Sequence, residues 1–157
     1  MPEQKPYRLP TTVIPERYEI KLAPDFPAAT FAGEEKVLIQ IVEPVRQVIV
    51  NAAELEFQAV SIKGPGGKVV RGNAALDFEN EQATFDFPET LNPGRWELQI
   101  AFSGILNDKL HGFYRSTYRD PDGQEKALAS TQFESTDARR AFPCWDEPAF
   151  KAIFQVT

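Results

Sequence analysis

Two polar residues near the end of the sequence have the types and spacing needed to bind a cationic amine. Gln132 and Glu134 lie two apart on a predicted strand, so both side chains are expected on one face, with Thr131 and Phe133 on the other. An amine can donate hydrogen bonds to both groups, and the carboxylate supplies the opposite charge. On spacing alone, however, the polar face of a solvent-exposed edge strand is the simpler interpretation.

The residues that follow combine turn signals with charge. Ser135-Thr136-Asp137 predicts a helix N-cap followed by one or two helical turns, which Pro143 ends. Four charged residues in this stretch are expected to form a local ion-pair network that fixes a turn: Arg139, Arg140, Asp146 and Glu147. A general acid and base pair at Asp146 and Glu147 is not expected. Adjacent residues in an extended segment point apart, and Pro148 favours an extended Glu147.

The sequence holds one cysteine and one histidine. Cys144 as a nucleophile would need His111 as its base, and a small buried side chain is the simpler interpretation of Cys144. His111 precedes a predicted strand and is interpreted as a structural or surface residue. A single histidine also excludes, within this sequence, a zinc site built from two or three imidazoles and the H-E-x-x-H motif.

The composition of the sequence indicates which binding partners and which cellular compartment are expected for this protein. The 157 residues include 17 basic and 23 acidic side chains, for a net charge of -6, and no basic patch stands out, so nucleic acid is not expected as a partner. The sequence has no 18-residue apolar run and no apolar leader, so neither a membrane partner nor a secretory signal is expected. A cytoplasmic location is the default prediction.

Short stretches of alternating apolar and polar residues dominate the chain. Residues 1–16 are predicted to form an extended lead-in with four prolines. Strands are predicted at 17–22, 34–42, 45–50, 55–63, 69–70, 95–102, 111–118 and 125–133, with 45–50 covered on both faces. A further hairpin is predicted around residues 79–82, with Leu76 on its first strand and with its aromatic residues facing one core: Phe78, Phe85 and Phe87.

Nine or ten such strands without a convincing amphipathic helix predict an all-β fold, an antiparallel β-sandwich. Residues 1–157 are expected to form a single domain. The last stretch, 150–157, begins another strand and stops within its pattern, so a piece of a longer protein is expected.

A long block near the end of the sequence resembles the N-terminal domain of the zinc aminopeptidases, the group of aminopeptidase N, puromycin-sensitive aminopeptidase and leukotriene hydrolase. The block comprises Thr-Gln-Phe-Glu at 131–134, Ala-Arg-Arg-Ala-Phe-Pro-Cys-Trp-Asp-Glu-Pro at 138–148 and Lys-Ala-x-Phe at 151–154. Two upstream parts of the sequence agree with this. The opening strand of that family is similar to residues 8–10 with 18–20, and its mid-domain run is similar to residues 102–104 with 112–118. The resemblance therefore spans nearly the whole chain.

The resemblance implies a saddle-like antiparallel β-sandwich lying against a thermolysin-like catalytic domain of the same chain. It implies that Glu134 binds the free α-amine of a peptide substrate and that Gln132 lines the pocket for the first side chain. Glutamate at 134, where the leukotriene hydrolase branch has glutamine, favours ordinary aminopeptidase action. The full-length enzyme would use zinc to remove N-terminal residues from peptides.

The sequence also departs from the family pattern. The G-x-M-E-N motif and the H-E-x-x-H…E motif, which supply further substrate contacts, the zinc ligands and the general base, are absent from these 157 residues. We therefore expect that this fragment binds no zinc and has no peptidase activity by itself. The alternative is a stand-alone β-sandwich module that binds carbohydrate or protein ligands, which an exposed aromatic platform at Trp96, Trp145 or the tyrosines would favour.

Overall fold

The structure, a computed structural model, describes residues 8–157, so the first seven residues of the predicted lead-in lie outside the described range. Apart from a short 3₁₀ turn at Ala138–Arg140, every regular element in that range is a strand. The strands are β1 (Val13–Asp25), β2 (Thr30–Ile41), β3 (Val45–Asn51), β4 (Leu55–Lys63), β5 (Val69–Asp77), β6 (Gln82–Leu91), β7 (Gly94–Ile105), β8 (Gly112–Arg119), β9 (Glu125–Gln132) and β10 (Ile153–Val156). This confirms the predicted all-β fold.

Eight of the strands form one curled sheet in the order β10-β1-β2-β7-β4-β5-β6-β3. Its pairs are antiparallel except at one edge, where β10 runs parallel to β1. Strand β5 joins the two halves, because residues 69–72 pair with β4 and residues 73–77 pair with β6. The halves face each other across the core, where the rings of Phe57 and Phe85 meet edge to face at 5.2 Å. This is the sandwich arrangement that the strand pattern predicts.

The alternation in β2 shows how the sequence forms this core. Residues at every second position, including Phe31, Val37 and Ile39, are buried, and the residues between them lie mostly at the surface. Gly33 belongs to the inner face, and a Cβ there would lie 2.3 Å from the ring of Phe102. The absence of a side chain at Gly33 thus allows β7 to place a phenylalanine against β2.

Three details of the strand pattern differ from the prediction. Phe78 is 82% exposed at the β5–β6 turn, so the expectation that it faces the core was wrong. Strand β3 is not covered on both faces, since Arg46 and Gln47 are exposed and Val48 and Val50 are buried. Strand β5 continues to Asp77 rather than ending at 70, because its second half gains β6 as a partner that the local sequence does not reveal.

Strands β8 and β9 form a separate two-stranded hairpin, as predicted. Its register pairs Gly112 with Gln132 at the open end and Arg119 with Glu125 next to the turn. The turn is closed by the N–H of Gly123, which donates to the carbonyl of Asp120 at 2.9 Å. This hairpin carries the candidate site to the edge of the sandwich. Within the described range, no helical segment is long and apolar enough to cross a membrane.

Candidate functional site

The two residues predicted to bind an amine lie at the end of the β8–β9 hairpin. Strand β9 ends at Gln132, so Glu134 is in the turn that follows rather than on the strand. Both side chains are exposed, and Phe133 between them is half-buried. Thr131, which was predicted on the opposite face with Phe133, is also exposed, so burial does not alternate at the end of β9 and only Phe133 turns inward. Within residues 8–157, neither the Glu134 carboxylate nor the Gln132 amide has a side-chain hydrogen bond or ion pair.

An aromatic contact anchors the segment between these two residues. The ring of Phe133 meets Phe142 edge to face at 5.9 Å, and Phe142 contacts Tyr18 of β1 at 6.2 Å. Tyr18 is stacked on Phe154 of β10, with centroids 4.6 Å apart. The hairpin end is thus connected to the core through aromatic packing, and this leaves Gln132 and Glu134 directed away from it.

The chain then turns sharply toward the sandwich. The N–H of Asp137 donates to the carbonyl of Phe133 at 2.9 Å, and the N–H of Arg140 donates to the carbonyl of Asp137 at 3.1 Å. The helical segment amounts to one 3₁₀ turn, with Asp137 at its N-cap position but without a side-chain capping bond. The predicted turn therefore exists in a shortened form that ends before Pro143, and the predicted side-chain cap is absent.

The predicted ion-pair network is present, but its membership differs. Arg139 Nε donates to Asp146 Oδ2 at 2.9 Å, as the local sequence suggests. Glu147 does not join it, because its carboxylate binds Arg8 Nη1 at 3.1 Å and the backbone N–H of Leu9 at 2.7 Å. That contact fastens the start of the described chain to the segment after the hairpin.

Two glutamates from distant turns complete the network. Glu81 accepts from Arg139 Nη1 at 3.2 Å and from Arg140 Nη2 at 3.0 Å, while Glu54 lies 3.0 Å from Arg140 Nη1. Burial by itself lowers the pKa of Arg140, but the hydrogen bond to Asp137 and the charges of Glu54 and Glu81 raise it overall. Sequence reasoning missed both glutamates, since Glu81 lies 59 residues and Glu54 lies 86 residues before Arg140, and nothing local links these positions.

The remaining candidates for chemistry are buried. Cys144 is 4% exposed, and burial, followed by the charge of Asp146, raises the pKa of its thiol. Its backbone exchanges two hydrogen bonds with Asn51, the N–H of Asn51 donating to Cys144 at 2.7 Å and the N–H of Cys144 donating to Asn51 at 3.0 Å. These observations agree with a structural cysteine rather than a nucleophile.

Glu35 is an unusual buried acid on the inner face of β2. It is 3% exposed, and its register partners Ile20 and Ile100 are both buried. Neither carboxylate oxygen has a hydrogen-bond partner within the described part of the chain, and burial raises the pKa of this group well above its ordinary value. A proton on Glu35 therefore avoids burying an unpaired charge.

The acidic side chains that come together here are not arranged to bind a metal ion. Glu54, Glu81, Asp137 and Asp146 all face the guanidinium groups of the two arginines. No group of three or more histidine, cysteine or acidic side chains suited to a metal ion was found in residues 8–157. These residues do not fit a zinc ion, because their negative charge is used by the arginines and the chain has a single histidine.

Comparison with known proteins identifies the family. A family model described as the Peptidase M1 N-terminal domain matches residues 14–157. The chain belongs to the M1 peptidase family, as its N-terminal domain. M1 aminopeptidases are in general zinc metallopeptidases. The resemblance drawn from the 131–154 block is thereby confirmed.

Relatives from plants, animals and fungi support the same assignment. Aminopeptidase M1-A of Oryza sativa subsp. japonica is 46% identical over 154 residues, with a match that covers 96% of this chain and 17% of that protein. The puromycin-sensitive aminopeptidase of Caenorhabditis elegans is 44% identical over 151 residues, 96% of this chain and 16% of that protein. The alanine/arginine aminopeptidase of Saccharomyces cerevisiae is 46% identical over 156 residues, 95% of this chain and 18% of that protein. The chain thus spans less than a fifth of the length of these relatives.

The alternative of a stand-alone binding module is not favoured. The tryptophans do not form a flat exposed platform, since Trp145 is 5% exposed and packs edge to face against Tyr18; among the tyrosines, Tyr18 is buried and Tyr118 is 49% exposed. Trp96 is half-buried, and its indole N–H donates to the carbonyl of Asn92 at 2.9 Å. The two tryptophans therefore act in folding the sandwich.

Proposed function

We propose that this chain is the N-terminal domain of a zinc-dependent aminopeptidase that removes N-terminal residues from peptides. In that proposal, residues 1–157 form one domain that packs against a thermolysin-like catalytic domain of the same chain. The zinc ion that activates the attacking water belongs to that other domain, because the acidic side chains described here are engaged by arginines. This domain contributes to substrate selection, and the enzyme is expected in the cytoplasm.

The observation that carries the proposal is the exposed pair at the hairpin end. The carboxylate of Glu134 can accept hydrogen bonds from the protonated α-amine of a peptide and match its charge. The amide of Gln132 is exposed two residues away, across the anchored Phe133, and in this proposal it lines the pocket for the first side chain. Such a receptor selects a free N-terminus, since an acylated terminus offers neither the positive charge nor three donors.

The test uses the complete enzyme and the substitution Glu134→Gln, which keeps the shape of the side chain and removes its charge. Loss of one charge-assisted hydrogen bond is expected to lower kcat/KM on amino-acid amides by about 10–150-fold. The matched control is Glu125→Gln, at the exposed far end of the same strand, which should leave kcat/KM unchanged.

Two results would count against this function. Wild-type kcat/KM in the Glu134→Gln enzyme would remove the carboxylate from amine recognition. Zinc-dependent release of N-terminal residues by the purified 157-residue chain would show that the catalytic groups lie within it. We expect neither, and the second assay also serves as a control for contaminating peptidases.

A further inference from the structure

Two turns of the sandwich contain glutamates in a backbone conformation that glutamate rarely adopts. Glu54, between β3 and β4, has a φ of 59°, and Glu81, between β5 and β6, has a φ of 51°. The left-handed region is disfavoured for residues with a Cβ, and glycine or asparagine usually occupies it. Both turns nevertheless place a glutamate there, and both glutamates bind the same side chain, Arg140.

Arg140 divides its three guanidinium nitrogens among three carboxylates. Nε donates to Asp137 at 2.8 Å, Nη1 lies 3.0 Å from Glu54, and Nη2 donates to Glu81 at 3.0 Å. The side chain is 19% exposed, so these contacts are largely shielded from water. A lysine, with one ammonium group on a flexible stem, cannot span three separate acceptors in this way.

Arg140 is linked to both sides of the proposed amine receptor, through Asp137 on one side and Gly112 on the other. Its backbone N–H is bonded to the carbonyl of Asp137, whose own N–H holds the carbonyl of Phe133, so Glu134 lies inside a closed turn. Its Cβ approaches Gly112 so closely that a Cβ on that glycine would be 2.8 Å away. Gly112 is the register partner of Gln132. One arginine therefore determines where both receptor residues lie relative to the sandwich.

We infer that Arg140, held by Glu54 and Glu81, is a positioning residue for substrate amine recognition. The inference rests on the proposed function, since it assumes that Gln132 and Glu134 meet the substrate. Arg140 itself makes no contact with substrate in this proposal. The two strained turns fix the guanidinium against the sandwich, and the guanidinium fixes the turn that presents Glu134.

The test compares two substitutions in the complete enzyme. Arg140→Lys keeps the charge but loses the three-way contact, and Glu81→Asn tolerates the left-handed turn but no longer reaches the guanidinium. Both should raise KM for amino-acid amides by about tenfold and leave kcat within about twofold. The control Glu79→Gln, exposed on the same turn as Glu81, should change neither quantity.

A double substitution separates positioning from general destabilisation. Once Glu134→Gln has removed the amine contact, adding Arg140→Lys should raise KM no further, because nothing is left to position. A core substitution of matched stability, such as Ile62→Val on β4, should lower the unfolding temperature without changing KM. If the effects of Arg140→Lys and Glu134→Gln on KM multiply fully, the inference is overturned.

Hydrogen exchange provides a readout that does not depend on catalysis. Amides of residues 133–137 in the complete enzyme should exchange several-fold faster in Arg140→Lys than in the Glu79→Gln control. Unchanged exchange in that segment would overturn the inference. Wild-type kcat/KM in Glu134→Gln would instead overturn the proposed function, and the exchange result would still decide whether Arg140 holds the segment. Should Arg140→Lys fail to fold, Glu54→Gln removes the charge from one of the three contacts, at a half-exposed acid, and is expected to show the same changes, smaller in size.

Discussion

The buried acid on β2 leads to a prediction about stability and pH. Replacing Glu35 with methionine retains an unbranched chain of similar volume and removes two oxygens that have no partner in the described part of the chain. Because the site is 3% exposed between buried isoleucines, methionine is suited to it. We expect Glu35→Met to increase the free energy of unfolding of the domain.

The size of the effect should depend on pH in a defined direction. Removing an unpaired buried polar group should increase the free energy of unfolding by about 1–3 kcal/mol, even when the carboxyl is protonated. Above the ordinary pKa of 4.5 the unfolded chain releases the proton while the folded chain, with its raised pKa, keeps it. Unfolding is therefore favoured by about 1.4 kcal/mol for each further pH unit, until the folded carboxyl also titrates. The free energy of unfolding of the wild type, as far as it depends on Glu35, is therefore highest below pH 4.5 and decreases as the pH rises.

Urea unfolding of wild type and Glu35→Met at pH 4.5, 5.5 and 6.5 measures this difference, with the fluorescence of buried Trp145 as the signal. The gap between the two proteins should widen by about 1.4 kcal/mol per unit. Glu34→Gln, at the exposed neighbouring position, is the control and should give a constant gap. A gap for Glu35→Met that does not change with pH would falsify the reasoning, because it would mean that Glu35 is charged or solvated in the folded protein.

Two further predictions concern packing and reactivity. Gly33→Ala should lower the free energy of unfolding by about 1–3 kcal/mol in urea titrations, because its Cβ would lie 2.3 Å from the Phe102 ring. Gly66→Ala is the control and should change the free energy of unfolding little, since the space around Gly66 is open. Equal effects at the two positions would contradict the packing described. Cys144 should react with a thiol reagent far more slowly in the native protein than in urea, since it is buried and its pKa is raised, and native labelling at the unfolded rate would contradict this.

Much of the fold follows from local pattern. The alternation in 17–22, 34–42 and 95–102 predicts strands that the structure contains as parts of β1, β2 and β7. The turn residues at 120–123 likewise predict the β8–β9 hairpin. These predictions succeed because strand formation and tight turns depend on side chains that are near one another in sequence.

The predictions that differ from the structure share a physical cause. Phe78 continues an apolar pattern, yet it falls in the turn between β5 and β6 and is left in solvent. The length of β5 depends on β6, and the place of Glu147 depends on Arg8, its partner 139 residues away. Pairings of this kind are decided by the global topology, and a local sequence window contains no information about them.

The sequence by itself determined the residues of the candidate site. A glutamine and a glutamate two apart have the chemistry to bind an amine, but their spacing alone is more simply explained as the polar face of an edge strand, and it is the surrounding block that identifies the M1 family. Only the tertiary structure decided how that pair is held. Glu54 and Glu81 reach Arg140 because the curled sheet brings two distant turns beside the hairpin end, and a charge contact between separated segments exists only once the chain has folded.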